Sequence, residues 1–233
     1  MELYTGTSGW AYQEWRGPFY PADLKNDGML AYYAGRLRAV EVNNTFYRMP
    51  ARGALAKWRE QVPATFRFVL KASRRITHQS RLTDADSLAF LLQSATGELG
   101  ESLGGYLFQL PPFLRKDAPR LRDFLALLPP GCPAAFEFRH ASWFDDEVYA
   151  ALRDRGACLC VAESGEDVDT PFVATADWGY LRLRREDYDD AALERWAARL
   201  RETAWSRAYV FFKHEDAGAG PRLAARFLEL YSG

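Results

Sequence analysis

Histidine is scarce in this sequence. Only His78, His140 and His214 stand in 233 residues, and none is spaced as H-x-H or H-E-x-x-H, which excludes the histidine-rich clusters of zinc hydrolases. Cysteine is equally sparse, at Cys132, Cys158 and Cys160. An odd number without a framework argues against a disulfide-stapled secreted domain and fits a reducing compartment. Cys158 and Cys160 share one face of a short strand and read as small buried apolar residues, not as metal ligands. No apolar run approaches the ~20 residues of a membrane-spanning helix, and no early segment joins a basic start to an apolar stretch and a cleavage site. A cytoplasmic, soluble protein without a membrane partner is expected. Net charge is −1, so the chain as a whole is no polycation built to bind nucleic acid. Gly6-Thr7-Ser8-Gly9 runs into a loop and not into a helix, so a dinucleotide fingerprint is missing too. Neither a cofactor nor a metal is expected.

What is present is a repeated alternation of strand and helix. Apolar residues make up 48% of the chain, enough for a full core without staples. Short β-branched or aromatic runs at 3–7, 39–43, 66–72, 104–110, 134–139, 157–162, 179–183 and 208–212 read as strands. Most are followed by helical spacing, for example Leu121, Phe124, Leu125 and Leu128 behind a capping Asp117. Thr83 with Asp86 suggests a capping box for another helix. Eight such units predict an α/β fold, a single TIM-type (β/α)8 barrel over residues 1–233, with an open doubly wound sheet as the runner-up.

The strands favour the barrel because nearly every one carries polar residues within it or at its end. Glu41, Lys71, Gln109, Glu137, Arg139, Arg182, Arg184, Lys213 and His214 form a ring at the C-terminal strand ends, where barrel enzymes keep their chemistry. Alternation puts Glu137 and Arg139 on one side of their strand, near enough to present charge to a ligand. The basic members Lys71, Arg139, Arg182 and Lys213 suit a carboxylate or phosphate. His78, in a polar loop beside Arg74, is a candidate proton carrier, whereas His140 precedes Ser142 and reads as a turn cap. The acidic stretch 163–169 reads as a solvated loop. Glu41 and Glu137 are three strands apart, and two opposed carboxylates among aromatics are what a glycosidase-like hydrolase uses. Trp10, Asn43, Tyr47 and Trp143 complete the candidate lining, with rings available for stacking. The loop after the first strand, holding Trp10, Tyr12 and Trp15, is expected to fold over the mouth.

The motifs also match a family. Gly6-Thr7-Ser8-Gly9-Trp10 with Tyr12, Trp15, Gly17 and Phe19-Tyr20-Pro21, then Glu41-Val42-Asn43-Asn44-Thr45-Phe46-Tyr47, Lys71-Ala72-Ser73, Ile76-Thr77-His78, Phe108-Gln109-Leu110-Pro111-Pro112 and Glu137-Phe138-Arg139-His140-Ala141-Ser142-Trp143 resemble the YecE-like family, catalogued as domain of unknown function 72. The resemblance implies a TIM-type barrel and no particular reaction. Two strand endings depart from the family pattern. An R-x-H-G type ending is here Arg182-Leu183-Arg184-Arg185, and an F-N-N type ending is Phe211-Phe212-Lys213-His214, which makes the mouth more basic.

Taken together, the expected function is a barrel whose mouth binds or acts on a small anionic ligand. Glu41, Glu137 and His78 are the candidate catalytic groups. A nucleic-acid-associated protein, with Arg74, Arg75, Arg81, Arg184 and Arg185 meeting phosphates, is an alternative despite the net charge.

Overall fold

Residues that alternate between two apolar surroundings build this chain's strands. The computed structural model describes residues 1–48, 50–163, 170–185, 187–213 and 216–233. His214 and residues 164–169 of the acidic stretch therefore lie outside the described residues. Eight parallel strands close into a barrel in chain order, the first pairing with the last. They are β1 (Glu2–Ser8), β2 (Ala39–Val42), β3 (Arg67–Lys71), β4 (Leu103–Gln109), β5 (Ala134–Glu137), β6 (Cys158–Glu163), β7 (Trp178–Leu183) and β8 (Arg207–Phe212). Val40, Phe68, Phe108, Phe136, Leu181 and Val210 belong to the core between strands and helices. Their chain neighbours Ala39, Val69, Leu107, Ala135, Tyr180 and Phe211 belong to a second apolar cluster inside the barrel. The two sets interleave residue by residue, as a pleated strand buried on both faces requires.

The helices are α1 (Met29–Ala34), α2 (Asn44–Tyr47), α3 (Ala54–Arg59), α4 (Ala85–Leu99), α5 (Ala118–Leu127), α6 (Asp146–Asp154), α7 (Asp190–Arg201) and α8 (Ala219–Ser232). Asp117 caps α5 through the Arg120 amide, as its position predicts. The cap of α4 is Asp84 and not Thr83. Its carboxylate accepts from the Ser87 amide, while the Thr83 hydroxyl turns back to Ser80 O. The anionic side chain is the stronger acceptor for the helix's free N–H groups. Between β6 and β7 the described residues 170–177 hold no helix. An extended run crosses instead, tied down where the Thr175 hydroxyl donates to Ala157 O and accepts from Leu159 N, each at 2.8 Å.

Two local features shape the mouth. β5 ends at Glu137, so Arg139 lies beyond the strand that the sequence extended to 139. After β3 the chain makes a π-helical turn, Arg75–Gln79, which carries His78. Arg81 and the buried Leu82 follow at φ of 51° and 73°, a region that side-chain-bearing residues rarely occupy and that often marks a functional loop.

The barrel's tightest seam lies between β1 and β2. A Cβ on Gly6 would stand 1.9 Å from Ala39 O and 3.0 Å from the Tyr33 hydroxyl. That hydroxyl accepts from Thr7 N at 2.8 Å and donates to Ala39 O at 2.9 Å, so neither neighbour can give way. Gly6→Ala is expected to cost at least about 3 kcal/mol, lowering the melting temperature by roughly 6–12 °C or preventing soluble expression. A melting curve superimposable on wild type would contradict this packing.

Candidate functional site

The inward face of each strand is apolar until its last positions. Two residues beyond Ala39, Val69, Leu107, Ala135 and Tyr180 stand Glu41, Lys71, Gln109, Glu137 and Arg182, so the pleat aims these side chains into the upper barrel. Arg182 joins two carboxylates there. One terminal nitrogen lies 2.8 Å from Glu41 Oε1, the other 2.6 Å from Glu137 Oε2, and the three side chains are at most 2% exposed. The Ser8 hydroxyl donates to Glu41 Oε1 at 2.8 Å and the Tyr180 hydroxyl to Oε2 at 2.6 Å. Gln109 Nε2 donates to Glu137 Oε1 at 2.9 Å, and Arg184 reaches the same oxygen at 3.4 Å. Every carboxylate oxygen of the pair is engaged by the protein itself.

Electrostatics follows this wiring. Burial alone would raise the pKa of Glu137, but Arg182, Arg184, Gln109 and Lys71 bring it down to about 2. Glu41 is likewise held below its ordinary value against burial, by Arg182, the Tyr180 hydroxyl, Lys71 and Ser8. Lys71 has the opposite fate. Burial and the nearby Arg182 lower it to about 8, with Glu41 and Glu137 opposing. At 9% exposure, its ammonium lies 4.3 Å from the centroid of the Phe46 ring. It forms no hydrogen bond or ion pair among the described residues. Its backbone is fixed, since the Thr45 hydroxyl reaches Lys71 O at 2.6 Å and Val42 O at 2.8 Å. His78 is half-buried and meets the Phe46 ring edge-on, centroids 5.0 Å apart. Burial, then Lys71 and Arg139, lower its pKa, so it is neutral at physiological pH.

Several expectations change. Arg182 is no open anion holder, because both its terminal nitrogens are taken by Glu41 and Glu137. The cations on Glu137 come from β7 and its exit, while Arg139, half-buried past the end of β5, stands close enough to His78 to affect it. Trp143 lines nothing. It is fully buried, stacked on Phe138 with ring centroids 4.7 Å apart, and its indole N–H donates to Leu114 O. Of the first-loop aromatics, Tyr12 caps the end of β1 by donating to Ser8 O at 2.5 Å. Trp15 is buried among Tyr12, Phe19 and Tyr20. Trp10 is half-buried and turned edge-on to Trp58. Asn43 is half-buried at the start of α2, Tyr47 is 70% exposed, and Lys213 is exposed at the end of β8. His140 caps the short turn Ala141–Trp143, accepting from Ser142 N at 3.1 Å.

Sequence reading overlooked Ser8 and Tyr180, the hydroxyl donors that complete Glu41. The signal was available. Ser8 ends β1 on the face of Gly6, and Tyr180 precedes Arg182 by two residues on the same face of its strand.

This wiring limits the chemistry. Two ionised carboxylates sharing one guanidinium supply no protonated general acid, which speaks against the glycosidase-like use of Glu41 and Glu137. Three of the five arginines proposed to meet nucleic acid have local acidic partners, Arg75 with Asp84, Arg184 with Glu137, and Arg185 with Glu163 and Asp187. Among the described residues no cluster of three or more His, Cys, Asp or Glu could hold a metal. Nor, among the described residues, is any helix long and apolar enough to cross a membrane.

Glu137→Gln tests whether the ion network supports the fold. It leaves the buried Arg182 with a weaker partner, for an expected loss of about 3–5 kcal/mol and a fall in melting temperature of roughly 6–20 °C at neutral pH. The folded-state pKa of Glu137 is depressed to about 2 from 4.5, so its contribution is complete above about pH 4.5 and fades toward 2. The gap between wild type and variant should close over that window in acid melts, and a constant gap would contradict the pairing.

Residues 4–233 match the family described as "Protein of unknown function DUF72". The chain is 31% identical over 168 residues to the UPF0759 protein YecE of Escherichia coli strain K12, covering 70% of this chain. The match spans 59% of that relative's length. YunF of Bacillus subtilis strain 168 is 29% identical over 156 residues, covering 63% of this chain and 54% of its own. Among solved structures, a DUF72 protein of Thermotoga maritima superposes with a TM-score of 0.84 at 23% identity over 100% of both chains. One from Enterococcus faecalis gives 0.85 at 16% identity, over 99% of this chain and 96% of its own. These likenesses carry the barrel fold, and with the match across nearly all residues they establish that the chain belongs to the DUF72, YecE-like family.

Proposed function

We propose that the C-terminal mouth of the barrel binds a small molecule carrying a carboxylate or a phosphate. Lys71 is its main cation, with Arg139, Arg184 and Lys213 around it. The carrying observation is the state of Lys71, a largely buried lysine whose ammonium still meets solvent and has no hydrogen-bond acceptor among the described residues. Glu41 and Glu137, the nearby carboxylates, are already engaged by Arg182, Arg184, Gln109, Ser8 and Tyr180. A desolvated charge left unpaired lowers stability, and groups held at such a cost cluster at functional sites. An incoming anion would supply the missing acceptor. Surface phosphate binding to nucleic acid is less well supported, because Arg75 and Arg185 have acidic neighbours. A cytoplasmic setting is supported by the three cysteines, all free thiols.

Lys71→Met provides the test. Lys71 has its folded pKa lowered to about 8 from 10.5. Below about pH 8 both folded and unfolded chains carry the charge, and the folded state bears the burial penalty. Between about 8 and 10.5 only the unfolded chain holds the proton, so wild-type stability rises with pH through this range. The variant should therefore melt a few degrees above wild type at pH 7, and the difference should shrink toward pH 10.5. Inorganic phosphate at about 100 times its dissociation constant should add about 2.7 kcal/mol to wild type, roughly 5–10 °C, and much less to the variant. Equal shifts in both proteins would sink the reading. So would tight oligonucleotide binding that collapses with salt.

A further inference from the structure

We propose that Lys71 is a nucleophilic amine that forms an imine with an aldehyde or ketone bearing a carboxylate or phosphate. This rests on the anion-binding reading and names the ligand's reactive group. Four observations carry it. The chain has five lysines, and among them Lys71 alone is buried. Arg182 and Arg184, which reach the buried carboxylates, are arginines, permanent counter-ions that cannot lose a proton. Where the carboxylates need a fixed charge the sequence uses arginine, and where the charge is unpartnered it uses the one cationic side chain that can become a free amine. Secondly, the amine is available. It has no hydrogen bond or ion pair to break among the described residues, and Thr45 pins its backbone. Thirdly, its nitrogen stands over the face of the Phe46 ring at 4.3 Å, a contact that holds it in place beside an apolar surface that shields an imine from water.

The fourth observation is His78. It touches the same Phe46 ring, with its Nδ1 2.9 Å from the Thr77 hydroxyl, and is held on the π-helical turn that leaves β3. The charged and titratable groups that act on Lys71 are Glu41 from β2, Glu137 from β5, and Arg182 and Arg184 from β7 and its exit. Burial and the two arginines favour the neutral amine, against the two glutamates, and the balance lies on the neutral side of an ordinary lysine.

The step balances without any further reactant. The Lys71 Nζ lone pair attacks the carbonyl carbon, an N–C bond forms, and the carbonyl π bond breaks to place a proton on oxygen. Nitrogen loses its second proton as the hydroxyl departs as water, leaving C=N. His78 moves these protons between nitrogen and the leaving oxygen, while the ligand's carboxylate or phosphate faces Arg139, Arg184 and Lys213.

Reductive trapping tests this on the full chain. Wild type is incubated near pH 7 with glyoxylate or pyruvate, then treated with sodium borohydride and measured as intact protein and as peptides. A single adduct, equal to the carbonyl compound less one oxygen, is expected on Lys71. Lys57→Met should label as wild type does. Lys71→Met and Lys71→Arg, checked as folded by thermal melts, should not label. Lactate, which has the carboxylate without the carbonyl, separates the two readings. If lactate raises the melting temperature while borohydride leaves Lys71 unmodified, the imine falls and the anion pocket stands. If neither lactate nor the carbonyl acids bind, both readings fall. Labelling spread over Lys25, Lys57, Lys116 and Lys213 without preference for Lys71 also overturns the proposal.

Discussion

A guanidinium held between two buried carboxylates organises the upper half of this barrel. Glu41, Glu137 and Arg182 stand on β2, β5 and β7, strands that are not neighbours in the ring. Their ion pairs therefore cross the barrel interior. Hydrogen bonds from Ser8 on β1, Gln109 on β4 and Tyr180 on β7 brace the same carboxylates, so five of the eight strands meet in one network. Taking three charges out of water is unfavourable in itself. The network tolerates it because each carboxylate oxygen has at least one donor, and the paired charges are of opposite sign. Below it the barrel is filled by apolar residues such as Val69, Leu107 and Phe211. The ion network is thus a floor, and whatever the mouth receives rests above it.

That floor decides which side chains remain available to a ligand. Carboxylates already engaged from within are less free to hold a ligand. Lys71 lies beside them on β3, yet outside the hydrogen-bonding pattern. Phe46 from α2 and His78 from the π-helical turn approach the same point. The segment behind His78 contains Leu82 at a left-handed φ of 73° despite its bulk and burial, and Leu82 N still donates to Ile76 O at 2.8 Å. A strained loop held this firmly is consistent with a side chain that must be kept in one place.

Much of this architecture could be read from residue order. Period-two alternation separated Val40 from Glu41 and Leu70 from Lys71, and eight strand-helix units implied the barrel that puts those side chains at one end. Partner choice could not be read. Alternation says which face a residue occupies, but not which of several opposite charges across a ring it meets: it puts Glu137 on the side of Arg139, yet Arg182 on β7 and Arg184 just past it are the cations that reach Glu137. Depth was equally hidden. Trp143 follows a pocket strand closely enough to pass for a lining residue, yet a parallel stack on Phe138 takes it into the core. Ser8 and Tyr180 were missed because hydroxyl residues announce no charge, although their register matches that of the ionised groups.

Among the described residues, Lys71 is a cation beside the floor that has neither a hydrogen bond nor an ion pair of its own. Its amine titration tests this most directly. With only five lysines in the chain, a protein labelled with carbon-13 at lysine Cε gives few resonances, and Lys71→Met assigns the one of interest. Lys71 should titrate with a midpoint near the value of about 8 to which burial and Arg182 lower it, well apart from the ordinary lysine value of about 10.4. A Lys71 midpoint at or above that ordinary value would mean that its ammonium is well paired or well hydrated, contradicting the claim.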